Sequence, residues 1–144
     1  MVRLAALATI SGVVLLFYTL GAQAADSYSP HTNYILMCQG CHLADGAGTP
    51  EKVPALKNEM GRFLQVAGGR EYLIQVPGTA QSPLTDKEVA AVLNWILHNF
   101  SSTELPADFT PYTTAEVARY RNEPLANASE VRTGLIHKLR QQGQ

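Results

Sequence analysis

The chain of 144 residues holds two cysteines, three positions apart, with a histidine directly after the second: Cys38-Gln39-Gly40-Cys41-His42. In an exported protein, two cysteines are by default one disulfide. A Cys-x-x-Cys pair also serves thioredoxin-like exchange, but that chemistry does not use the following histidine and expects a strand and helix around it. The histidine points instead to covalent haem attachment. Two thiols one helical turn apart reach the same porphyrin edge and add across its vinyl groups as thioethers, and His42 then projects beneath the iron as proximal ligand. One covalent haem c is therefore the expected cofactor. A second such motif, a glycine-rich phosphate loop and a Ser/His/Asp arrangement are all missing from the sequence, so one redox centre is the whole chemical inventory.

The segments that must position these residues follow a leader. Arg3 precedes an apolar run from Leu4 to Leu20, and Ala22-Gln23-Ala24 then supplies the small-x-small pattern read by signal peptidase. Cleavage after Ala24 and export to the periplasm are expected. The competing reading is an uncleaved anchor, because the apolar run is only slightly short of a membrane span. The expected organisation is residues 1–24 as signal peptide, 25–100 as the haem domain and 101–144 as a C-terminal extension. Loss of Arg3 takes the formal charge from −1 to −2, and no basic run tracks a phosphate backbone. That excludes nucleic acid and leaves proteins or small molecules as partners.

Thr85-Asp86-Lys87-Glu88 is a capping box. It opens an amphipathic run with Val89, Val92, Leu93, Ile96, Leu97 and Phe100 on one stripe. With Asp45-Gly46-Ala47-Gly48-Thr49-Pro50 after the cysteines and Val53-Pro54-Ala55-Leu56 beyond, residues from roughly Tyr28 to Phe100 resemble the class I cytochromes c. The resemblance implies an all-α fold, a small helical domain wrapped around one haem. It implies that the Pro54 carbonyl accepts the proximal imidazole N–H, that Leu56 packs on the haem face, and that Trp95 of the last helix crosses the first near Tyr34. About 75 residues bury only a modest core, so the haem is expected to complete it.

The family's usual sixth iron ligand is a methionine just before the last helix. Here the corresponding segment reads Gln75-Val76-Pro77-Gly78-Thr79-Ala80, and Val76 cannot bind iron. Met60, 18 positions after His42, is the one methionine between the proximal loop and the final helix and is the candidate thioether ligand. An iron without a distal protein ligand is the alternative, and His98, Lys57, Tyr72 and His31 are further candidates. Arg62 and Arg70 flank the same loop and are candidate partners for the haem propionates, for which a guanidinium offers a bidentate fork.

Beyond Phe100, Pro106 and Pro111 keep the chain irregular. Thr113-x-x-Glu116 caps a short helix running to about Arg121, and Asn127 or Ser129 opens another carrying Val131, Leu135, Ile136 and Leu139. This extension is expected either to wrap the back of the domain or to offer an apolar face to a partner. The function expected is that of a non-enzymatic periplasmic carrier, free or as the cytochrome subunit of a dehydrogenase, taking single electrons from that enzyme toward an oxidase or another cytochrome. It would meet a membrane only if the leader stays. The competing function is a haem-based gas or peroxide sensor or enzyme with an open distal site.

Overall fold

The extension and the helices before it share one core in the computed structural model, which describes residues 27–143. The leader and its cleavage point lie outside the described residues. Eight α-helices occur among the described residues: α1 (Pro30–Met37), α2 (Gln39–His42), α3 (Met60–Phe63), α4 (Gly69–Gln75), α5 (Pro77–Ala80), α6 (Asp86–Phe100), α7 (Thr114–Tyr120) and α8 (Ala128–Gln141). A short 3₁₀ turn, Ser102–Glu104, follows α6. The fold is all-α, with only an isolated bridge between Thr49 and Val53 among the described residues.

α6 is the axis of the domain, and its sequence explains why. Thr85 receives the Glu88 N–H while the Glu88 carboxylate accepts the Thr85 N–H, so the capping box closes reciprocally. Val89, Val92, Leu93, Ile96 and Leu97 are all buried, and the helix packs chiefly against α1 and α7. Against α1 the contact is aromatic. Tyr34 meets Trp95 at 5.2 Å and Phe100 at 5.1 Å between centroids, and Trp95 meets Phe100 edge-on at 5.4 Å. Each such pair is worth about 0.5–1.5 kcal/mol beyond its buried area, enough to fix the crossing of the helix that leads into the cysteines.

The extension packs back rather than projecting. Val117, Leu135 and Leu139 join the core, and Tyr112 is held between α6 and α4. Its backbone exchanges hydrogen bonds with the Asn94 side chain at 2.8 and 3.0 Å, and its hydroxyl donates to the Arg70 carbonyl at 2.9 Å. No helix among the described residues is long and apolar enough to cross a membrane.

Candidate haem site

Cys38 ends α1, its N–H donating to the Tyr34 carbonyl at 2.9 Å, and α2 begins at once. The His42 and Cys41 amides both return to the Cys38 carbonyl, at 3.0 and 3.2 Å. One tight turn therefore carries both thiols and the imidazole. Leu43 then takes a left-handed conformation, φ 65°, which reverses the chain, and the Tyr34 hydroxyl donates to its carbonyl. Burial, reinforced by the neighbouring Cys38 and Asp45, pushes that hydroxyl up to about 12, so it stays a donor.

The loop after Leu43 folds back beneath His42. Gly48 N–H donates to the His42 carbonyl at 3.0 Å, Thr49 and Val53 exchange backbone bonds at 2.9 and 2.8 Å, and the Gly46 carbonyl accepts from both Leu56 and Lys57. Gly48 makes this possible: its φ is +68°, and a Cβ there would lie 2.4 Å from the Val53 carbonyl oxygen and 2.7 Å from that of Pro54. In consequence the Pro54 carbonyl lies 3.0 Å from His42 Nδ1. A carbonyl only accepts, so Nδ1 carries the proton and Nε2 is left with a free lone pair, the form an imidazole needs to bind a metal. Burial lowers the His42 pKa, partly offset by the bond to Pro54, so the neutral ring is favoured.

The cysteines are both free thiols, Cys41 exposed and Cys38 partly buried. Burial, and then the charge of Cys41, push the Cys38 thiol up to about 11. Exchange catalysts need the opposite at their attacking cysteine, an acidified thiolate. The set fits a covalent haem: two thiols one turn apart beside an imidazole whose tautomer is fixed for a metal. No group of three or more His, Cys, Asp or Glu side chains arranged for a metal occurs among the described residues.

The remaining candidates fare differently. Leu56 is half-buried and packs against the core. Arg62 pairs with Glu59 at 3.2 Å and stays partly exposed; it lines a cleft with Ala55, Arg132 and Arg140. Two candidates have other contacts in the fold. Arg70 is not free for a propionate: it grips the Glu116 carboxylate with two nitrogens, donates to the Thr110 carbonyl at 2.7 Å and lies 4.2 Å above the Tyr112 ring. Its position beside the loop in sequence gave no sign of a carboxylate 46 residues later. Met60 is a core residue, 3% exposed, in the apolar cluster that includes Phe63, Tyr72 and Val89. Its place in the chain suggested reach toward iron, and in the fold its thioether packs within this cluster.

Sequence reasoning missed Arg121. Its guanidinium donates to the carbonyls of Ala80, Ser82 and Leu84, at 3.2, 2.9 and 2.8 Å, and to the Asp86 carboxylate at 2.9 Å. It also missed Gly61, whose N–H donates to Ser101 Oγ at 2.9 Å and where a Cβ would lie 2.7 Å from the Ser101 carbonyl oxygen.

No family model matches the chain. It is similar to a cytochrome c-552 of Thermus thermophilus, 33% identical over 106 residues, a match covering 61% of this chain and 81% of the relative. It is equally similar to a second cytochrome c-552 of the same species, 33% identical over 106 residues, covering 61% of this chain and 72% of the relative. Since 61% of 144 residues is about 88, about 18 of the 106 aligned positions have no counterpart in this chain.

Proposed function

Because this chain belongs to the class I c-type cytochromes, proteins that carry electrons on haem, we propose that it is a periplasmic mono-haem carrier passing single electrons from a dehydrogenase toward the respiratory chain. The haem is held covalently by Cys38 and Cys41 in this proposal, with His42 as its proximal ligand. The observation that carries the assignment is the 3.0 Å contact between His42 Nδ1 and the Pro54 carbonyl, one turn from two free thiols. When bound, the haem supplies an iron that takes up and releases one electron. The chain supplies the rest. The thiols tether the group, Pro54 fixes the imidazole's orientation and basicity, and the packed α1–α6 crossing keeps the site from rearranging as charge changes. The apolar leader supports export, and no acid–base pair accompanies the motif in sequence to support turnover of a small substrate.

The test is kinetic. Protein purified from the periplasm should begin at Ala25 or Asp26, and when reduced it should pass its electron rapidly to oxidised periplasmic cytochromes or an oxidase. Retention of Arg3 on membrane-bound material would replace export by anchoring. Slow exchange with every acceptor, accompanied by peroxidase turnover, would replace the carrier by an enzyme.

A further inference from the structure

We propose that no side chain among the described residues completes the iron's coordination opposite His42, and that this position takes a small exogenous ligand: a neutral diatomic such as carbon monoxide in the ferrous state, a small anion such as azide in the ferric. The proposal rests on Cys38, Cys41 and His42 as the attachment and proximal residues, and goes beyond them.

The connection between α4 and α6 holds no ligand. Val76-Pro77-Gly78-Thr79-Ala80-Gln81-Ser82-Pro83-Leu84 has no thioether, imidazole, amine, thiol or phenol. It is also short and fastened. Arg121 binds three of its carbonyls. At its start, the Gln75 carbonyl accepts the Leu125 N–H at 2.9 Å and the Gln75 side chain donates to the Glu123 carbonyl at 3.2 Å. The α7–α8 region thus holds both ends of the connection.

The candidate donors singled out in the sequence each make other contacts in the fold. Met60 lies in the core, and the residue after it cannot shift, because Gly61 is bonded to Ser101 with no room for even a Cβ. Tyr72 is buried against the Phe63 ring at 5.4 Å. His31 stacks on Trp95 at 4.9 Å, and His98 meets Phe109 edge-on at 5.7 Å. Lys57 belongs to the proximal loop, its N–H on the Gly46 carbonyl and its amine 3.8 Å from Asp45. Met37 directly precedes Cys38 in α1, on the attachment side.

The experiment uses purified holoprotein and a Met60→Leu variant: one aliquot of each is extracted with acid-acetone, and a separate native aliquot is followed by electron paramagnetic resonance and optical spectroscopy at neutral pH. Expected are haem that stays with the protein, a high-spin ferric signal converted to low-spin by azide, and a ferrous spectrum converted completely by carbon monoxide at one per haem, all unchanged in Met60→Leu. A low-spin ferric state with a ferrous form that ignores carbon monoxide overturns the proposal, and loss of that low-spin state in Met60→Leu would name the ligand. Haem released by acid-acetone would overturn the attachment itself, whereas haem retained with a closed sixth position overturns the distal claim alone.

Discussion

The loop of residues 43–58 and the connection of residues 76–84 both precede the long helix α6, and they are fixed in different ways. The first is fixed from within. Its own backbone bonds, a left-handed Leu43 and a glycine at φ +68° fold it so closely that a proline carbonyl meets the imidazole. The second closes its own short turn, with the Thr79 and Ala80 amides on the Val76 carbonyl and the Gln81 amide on the Pro77 carbonyl, and is fastened in addition from outside, by a guanidinium on a segment that follows α6. A site that must present one atom at one angle is built locally. A stretch that carries no ligand needs only to be held, by its own turn and a remote residue together.

Paired glycine substitutions break this comparison most sharply. Gly48→Ala meets a positive φ and two carbonyl oxygens; strain and overlap together should cost about 3–5 kcal/mol and loosen the imidazole, seen as a lower denaturation midpoint and a shifted potential. Gly78→Ala meets nothing within 4 Å and should leave stability unchanged or raise it by up to about 1 kcal/mol. Equal effects at the two positions would erase the distinction. Met60→Ala should cost about 3 kcal/mol through its cavity with the optical spectrum unaltered. Arg121→Ala removes a guanidinium shared by four acceptors and should cost about 2 kcal/mol, with lysine a poor substitute because a single ammonium cannot span them; full rescue by lysine would show that charge alone matters.

The smallest effect concerns pH. Burial holds the His42 pKa below its ordinary value, and iron on Nε2 would occupy the atom a second proton needs, so below about pH 6.5 the unfolded chain binds a proton that the folded chain refuses. This group's contribution is therefore complete above that pH and is lost progressively as pH falls below it. Urea midpoints at pH 7.5 and pH 5.5 should differ in that direction, and a higher midpoint at the lower pH would contradict it.

What was legible in the sequence was local. The expectation for Cys38, Cys41 and His42 rests on spacing within one turn, and Thr85 and Glu88 declare the start of α6 because a capping box is likewise complete within one turn. Thr113 likewise caps α7. What was not legible depended on partners distant in the chain. Arg70 and Arg121 look alike as surface cations until Glu116 and the carbonyls of residues 80–84 are brought beside them. Met60 shows the same limit from the apolar side: a thioether serves a core or a metal equally well in sequence, and its place among Phe63 and Tyr72 emerges only from the fold. Gly48 lay within a glycine-rich turn that is weak evidence by itself, and its importance emerges only from the two carbonyls that would strike a Cβ.

The most direct test of the central claim is the intact mass of the denatured, non-reduced protein after export. Thioethers survive denaturation and axial bonds do not. The account predicts the mass of the chain from about Ala25 plus one haem, with haem absorbance co-migrating with the unfolded polypeptide, and half-attached or haem-free chain when Cys38 or Cys41 is replaced by alanine. A mass two protons below that of the bare chain, the signature of a Cys38–Cys41 disulfide without haem, would contradict it.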